Sequence, residues 1–377
     1  MTKHFPLLMA VAALFGVGLG IYDFVLPFLL SHWGISFASM GHIFSVAGIA
    51  MFFVRVYVGE LSDRFGRKAF YGAALALGAG LTFATPLAPS IVAQMGLKSL
   101  RDASYQTFQS MHQLVLYEES VERYLDYVGK TQGSQYLAEG CAALVSGAIL
   151  TRRGHAAPLR IAAAVFFVAF CAFVALYRSP PVRRRRDRAA SLGELFGLDL
   201  SPKLRLMTIA GFIFTVGLAI SHCFVMQLFF KRKFGVPEST VGIIMMLHRV
   251  TAAVPLLIVG WVVKRRLKAV YITFLTIEGL ALIVSAFIPN FLLATAVWLT
   301  HDLVGAGIWI PVQSTLMQQY SRNGVRGRDV SKSLAIASLG WVIGPMIAGA
   351  IFERSVNGPF GLSGLLMVAA AVVLLWL

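Results

Sequence analysis

The sequence predicts an all-α polytopic membrane protein, with twelve transmembrane helices in two pseudo-symmetric six-helix bundles. Three observations carry this prediction. First, 58% of the 377 residues are hydrophobic and 13% are charged, with a mean hydropathy of +0.75. A soluble globular chain has about 45–50% apolar and about 25% charged residues, so lipid must solvate much of this one. Second, apolar stretches close to the ~20 residues that cross a bilayer recur about twelve times. Third, the two halves echo one another at an offset of ~200 residues.

The spans are expected near 5–30, 36–58, 69–88, 90–116, 131–151 and 156–177, then 206–230, 239–263, 269–289, 291–318, 331–353 and 359–377. The first is too long for the apolar core of a signal peptide and has no convincing cleavage site, so it is read as a retained helix. Turns such as Pro86-Leu87-Ala88-Pro89 and Pro289-Asn290 separate the spans. The charged residues Glu118 to Lys130 are read as a loop that sets topology. Three domains follow: residues 1–177, a basic linker at 178–205 with a short amphipathic segment suited to an anionic leaflet, and residues 206–377.

The repeat is legible residue by residue. Val17-Gly18-Leu19-Gly20-Ile21-Tyr22-Asp23 echoes Val216-Gly217-Leu218-Ala219-Ile220-Ser221-His222. Gly41 aligns with Gly242, Leu100-Arg101-Asp102 with Thr300-His301-Asp302, and Ser146-Gly147-Ala148 with Ala348-Gly349-Ala350.

A net charge of +16 would suggest nucleic acid in a soluble chain. Here about 22 Lys and Arg fall on one set of loops and about 6 on the other, as the positive-inside rule requires. The N-terminus is therefore expected in the cytoplasm, in a bacterial inner membrane, with no nucleic-acid partner. Cys141, Cys171 and Cys223 lie in apolar runs without metal-finger spacing and read as small buried residues. No phosphate-binding loop, Gly-x-Ser-x-Gly or His-Glu-x-x-His occurs, so no enzyme, cofactor or resident metal is expected.

Between the second and third spans stands Gly59-Glu60-Leu61-Ser62-Asp63-Arg64-Phe65-Gly66-Arg67-Lys68. It resembles the loop signature of the major facilitator superfamily between helices 2 and 3, matching every specified position. The second copy has decayed, with Lys264 where Asp63 stands and Leu267 where Gly66 does. The resemblance implies a transporter whose halves rock about a central hollow, normally as a monomer. It also implies a gate at Gly59, Asp63, Arg64, Gly66, Arg67 and Lys68. There Asp63 meets the start of the eleventh helix, and Arg64, Arg67 and Arg328 add charge-assisted bonds. The other reading of these residues is a solvated turn that only sets topology. Gly340-Trp341-Val342-Ile343-Gly344-Pro345 resembles the family's antiporter motif, but lies in the eleventh span rather than the fifth. Close helix packing explains it equally.

Ionisable residues inside spans are costly, at about 2.5–3.5 kcal/mol on insertion scales, and each suggests a function. In the fourth span Lys98, Arg101, Tyr105, Gln109 and His112 recur every three or four residues on one face, widened by Asp102. The tenth span offers His301, Asp302, Trp309 and Gln313; the first offers Tyr22 and Asp23; the seventh offers His222. The resemblance implies that these four helices line the solute cavity. Arg249 in the eighth span either points there or pairs with an acid such as Glu278. Arg101 stays protonated, so it binds an anionic group or pins Asp23, Asp102 or Asp302. Asp23, Asp102, Glu139 and Asp302 are the candidates for proton coupling.

The expectation is a secondary transporter of a small organic solute, anionic or chelating, coupled to protons, with export favoured. Two alternatives stay open. One is a divalent-metal transporter of the same fold, using Asp23, His222 and Cys223. The other is a scaffold or sensor that moves nothing.

Overall fold

The computed structural model describes residues 4–120, 123–178, 199–263, 265–322 and 326–377. Every regular element among them is helical. The expected amphipathic stretch of the linker lies outside the described residues.

The first half folds as α1 (Phe5–His32), α2 (Phe37–Phe65), α3 (Arg67–Ala84), α4 (Ile91–Glu119), α5 (Tyr124–Arg153) and α6 (Ala156–Leu176). The second half has α7 (Pro202–His222), α8 (Val225–Phe234), α9 (Glu238–Val262), α10 (Leu267–Phe287) and α11 (Phe291–His301). It continues with α12 (Gly307–Tyr320), α13 (Arg326–Ser338), α14 (Gly340–Arg354) and α15 (Gly358–Val373). The starts are set locally. The Ser90 hydroxyl accepts from the Ala93 amide at 3.2 Å and caps α4, and Asn290 does the same for α11 through Leu293 at 3.0 Å.

Three expected spans are interrupted. The seventh is α7 and α8, parted at Cys223–Phe224. The tenth is α11 and α12, joined by a π-turn at Asp302–Ala306. The eleventh is α13 and α14, parted at Leu339. Ten stretches among the described residues are long and apolar enough to cross a membrane. The fourth and fifth expected spans are not among them, because α4 and α5 carry the polar residues that the first half buries. The fifth also starts earlier than expected, since most of the supposed 118–130 loop is helix.

The Gly59–Lys68 hairpin is likewise corrected. α2 runs through Phe65 and the turn contracts to Gly66, whose φ of 95° is open to glycine at little cost.

Contacts divide the chain into two units. Unit 1 holds Met1–Ile35, Val46–Ala189 and Val236–Arg249; unit 2 holds Ser36–Ser45, Ala190–Gly235 and Val250–Leu377. In unit 1, α1 packs on α5 and α6, and α3 on α4 and α6. In unit 2, α7 packs on α14 and α15, and α10 on α11 and α15. Each contact of the first half thus has its counterpart six spans later, which is the sequence repeat expressed as packing. The second and eighth spans each lend their first turns to the other half's helices. A Cβ on Gly41 would press on the Pro345 carbonyl oxygen, and one on Gly242 would lie 2.8 Å from that of Ala143.

Small residues set the tightest seat in unit 1. A Cβ added to Gly16 would stand 2.6 Å from the Gln135 carbonyl oxygen, and one on Gly20 2.5 Å from that of Glu139. The i, i+4 pair on α1 therefore rides directly on an i, i+4 pair of α5 backbone groups. The Gly340–Gly344 pair does the same against α7, where added methyls would meet Val216 N and the Ala219 side chain at 2.5 Å each. Close packing thus accounts for this motif. Large apolar side chains such as Val92, Phe287 and Leu292 are more than half exposed, as a lipid-facing surface requires. Cys141 and Cys171 join that surface, and of the three cysteines only Cys223 is buried.

Candidate functional site

Unit 1 gathers its charges around Arg101. The guanidinium is buried, 4.2 Å from the Tyr22 ring centroid, where the face of the ring attracts the cation. Its Nη1 lies 3.5 Å from Asp102 and 3.7 Å from Asp23. Both distances exceed the ordinary N–H···O range of about 2.7–3.2 Å. Nη2 is buried with no hydrogen-bond partner among the described residues. The charge is balanced, but the donor fork is not filled. Asp102 is held more closely by Lys98, at 2.5 Å and one helical turn away.

A second pair lies on α5. Glu139 is buried, accepts from Gln135 at 2.9 Å and lies 3.1 Å from Arg249. Arg249 also lies 5.5 Å from the Tyr136 ring. Its expected partner Glu278 is instead taken by the Trp309 indole, which donates to it. Gln109 donates to Gln135 at 3.3 Å. His112 leaves the polar face and bonds Tyr71 at 2.8 Å in the apolar core. Tyr105 is half-buried and packs against Phe15.

Unit 2 gathers histidines. His222 ends α7 and His301 ends α11, with their Nε2 atoms 3.3 Å apart. Asp302, buried, lies 3.6 Å from His301 Nε2. On α12, Gln313 donates to the Tyr271 hydroxyl at 2.9 Å. Asp23 faces Arg101, and the Cys223 thiol is turned to the Ile220 carbonyl at 3.8 Å.

At the loop signature, Arg67 pairs with Glu118 at 2.5 Å, and the Lys68 ammonium donates to the Val174 and Tyr177 carbonyls at 3.0 and 2.6 Å. Both residues tie α3 to the ends of α4 and α6, a role the expected latch to the eleventh span did not include. The side chains of Gly59, Asp63, Arg64 and Arg328 lie outside the described residues.

Sequence reasoning missed Gln135, Tyr271, Ser221 and Ser363. Gln135 was detectable as the i−4 partner of Glu139. The serines give no signal in apolar helices.

The description "Major Facilitator Superfamily" matches residues 8–226 and 207–377. The chain belongs to the major facilitator superfamily. It is 20% identical over 397 residues to multidrug resistance protein 2 of Bacillus subtilis (strain 168), covering 96% of this chain and 92% of that one. A shorter match, 36% over 76 residues, covers 20% of this chain and 17% of the 4-hydroxybenzoate transporter PcaK of Pseudomonas putida. Among solved structures, a point mutant of the nucleoside transporter NupG superposes with a TM-score of 0.80 at 16% identity, over 99% of this chain and 98% of that one. A bacterial homologue of the iron transporter ferroportin gives 0.70 at 16%, with the same coverage. These two likenesses establish the fold. The protein is a secondary transporter of this superfamily, embedded in lipid.

Proposed function

We propose that this transporter moves a small organic anion across the bacterial cytoplasmic membrane by alternating access, coupled to protons and in the direction of export. The carrying observation is Arg101, a buried cation with one unfilled donor nitrogen and two carboxylates held only at long range. An incoming carboxylate or phosphate can take both donors of the fork in a bidentate, charge-assisted contact. It would displace Asp23, the partner at 3.7 Å, and leave that carboxylate to take up a proton. Solute binding at Arg101 and proton binding at Asp23 are then linked through one ion pair, which is a direct physical basis for coupling. Asp102 stays with Lys98, and Glu139 with Arg249, as further coupling groups.

The halves 1–177 and 206–377 are proposed as the moving bodies, with the N-terminus in the cytoplasm and the monomer as the working unit. Tyr22, Lys98, Tyr105, Gln109, His222, Arg249, His301, Trp309 and Gln313 are proposed to line the solute's path. Asp63 is proposed to gate it, so Asp63→Asn should slow turnover without lowering expression. The drug-resistance relative supports export, and the 4-hydroxybenzoate transporter supports an organic anion.

The test is movement of a panel of labelled organic anions, 4-hydroxybenzoate included, in proteoliposomes with and without a pH gradient. Arg101→Lys keeps the charge but loses the fork, and should weaken affinity by the worth of a charge-assisted bond, about 1.5–3 kcal/mol or roughly 10- to 150-fold. Asp23→Asn should leave binding intact and abolish pH-driven accumulation. Wild-type affinity in Arg101→Lys would assign the arginine to internal pairing and end this reading.

A further inference from the structure

Arg55 is set into the apolar run of α2, ten residues before that helix ends at Phe65, or about 15 Å along its axis. An arginine placed there for topology alone snorkels toward the headgroups. This one turns the other way. Its Nη2 donates at 3.0 Å to Gln106 Oε1, and Gln106 lies thirteen residues before α4 ends at Glu119. As even-numbered spans, α2 and α4 run in the same direction, so the guanidinium is drawn away from both helix ends.

What it meets is a partly open cavity of about 390 Å³, walled by α2, α4 and the first residue of α5. That volume is within the range of about 300–1,000 Å³ typical of small-ligand pockets. Val58 and Leu114 supply apolar lining, and Arg55, Ser110, Gln113, Tyr117 and Tyr124 supply the polar groups. The hydrogen bonds fix how several of these face. An arginine only donates, so the Gln106 amide oxygen faces Arg55 and its nitrogen donates to Ser110 Oγ at 3.3 Å. Ser110 is then the acceptor, and its own hydrogen is left over. Among the described residues no group takes that hydrogen, and the Gln113 amide and both tyrosine hydroxyls have no hydrogen-bond partner either. No carboxylate lines the cavity. Glu118, beside Tyr117 in sequence, is held by Arg67 at 2.5 Å. A cation surrounded by spare donors, with no acid to neutralise it, selects an anion.

The tyrosines narrow the class. Their rings stand 5.2 Å apart at 82°, edge to face, and Tyr117 remains 49% exposed. An aromatic ring entering beside them gains a further ring contact that a saturated one does not.

We propose that Arg55, Ser110, Gln113, Tyr117 and Tyr124 form a second anion site, shaped for a small aromatic carboxylate. Gln113 lies twelve residues beyond Arg101 on the same helix, so the site stands about 18 Å along α4 from the first. Its role as a staging point for the solute rests on the anion reading above; its binding rests on its own lining.

The experiment titrates the purified full chain in detergent with benzoate, cyclohexanecarboxylate and inorganic phosphate by calorimetry. Arg101→Lys weakens the first site and serves as the background in which the second is read. One benzoate per chain should still bind there, roughly 2- to 12-fold tighter than cyclohexanecarboxylate, the range worth assigning to one aromatic contact. Adding Arg55→Gln should weaken benzoate by at least roughly 10-fold. Adding Tyr117→Leu should erase the preference for the aromatic acid. If Arg55→Gln fails gel filtration, Gln113→Leu combined with Tyr117→Leu takes its place, with the same loss expected. Absence of benzoate binding in Arg101→Lys, or unchanged affinity after the second substitution, would overturn the proposal. So would occupancy by phosphate, or by phosphatidylglycerol in nanodiscs, with benzoate excluded, since the donors would then serve a phosphate group. The two readings fail separately. Wild-type transport in Arg101→Lys would end the earlier one and leave this binding test standing, whereas loss of the second site leaves the Arg101 affinity unchanged.

Discussion

Replacing Gly20 with alanine tests how far the polar cluster of unit 1 depends on a packing seat. The new methyl would stand 2.5 Å from the Glu139 carbonyl oxygen and 2.7 Å from its Cα. Comfortable contact begins near about 3.5 Å, so α1 must withdraw from α5 by about 1 Å. Both obstacles are backbone atoms and cannot swing aside. Overpacking of this kind costs about 1–3 kcal/mol. Alanine also gains about 1 kcal/mol of helix propensity over glycine, which would mask part of the loss. The proper reference is therefore Gly80→Ala, where an added methyl has nothing within 4 Å. Thermal denaturation in detergent, followed by gel filtration, should place Gly20→Ala below Gly80→Ala by roughly 2–12 °C. The same withdrawal carries Asp23 with α1, so the 3.7 Å contact with Arg101 should loosen and solute transport should slow. Equal melting temperatures in the two variants would refute the seat and the coupling argued from it.

Three further outcomes are expected. Asp329 is fully buried and receives two bonds of 2.9 Å from Arg322, which also donates to Asp199 at 3.0 Å. Arg322→Ala should lower the denaturation midpoint more than Arg322→Ala combined with Asp329→Asn, and the reverse order would show the pair to be ornamental. Burial, followed by the neighbouring Glu118 and Glu119, pushes the Tyr177 phenol up to about 12. Because the folded value lies above the unfolded one of about 10, its contribution is complete below pH ~10 and is lost as pH climbs toward ~12. Tyr177→Phe should flatten that alkaline loss in a pH series of melts. Lys68→Met removes an ammonium from the carbonyl end of α6 and should cost about 0.3–1 kcal/mol in the same assay.

Much of this molecule was legible in the order of its residues. The repeat foretold the packing plan, because matched small residues such as Gly41 and Gly242 serve matched helix crossings. The stripe on the fourth span foretold that α4 would bury its charges. Partner choice was hidden. Glu278 was the acid expected for Arg249, and only the helix contacts give it Glu139 instead, since the Trp309 indole reaches Glu278. The breaks were hidden as well. Ser221-His222 and His301-Asp302 mark both places as polar, but polarity inside a span does not by itself signal a break in the helix. The Gly59–Lys68 stretch misled for the opposite reason. Its charges look like a loop, yet those residue types also suit the end of a helix emerging from the bilayer.

The three interruptions, at Cys223–Phe224, Asp302–Ala306 and Leu339, all fall in the second half, while α1 to α6 each run through in one piece. A rod parted near its middle bends there without rupturing a run of backbone bonds. Compliance is therefore shared unequally between the duplicated halves, with stiffness kept in one and pivots collected in the other. Amides at the three pivots should exchange with deuterium sooner than their first-half counterparts. Mutations that straighten a pivot should trap the carrier in one posture while leaving its ligands' chemistry untouched.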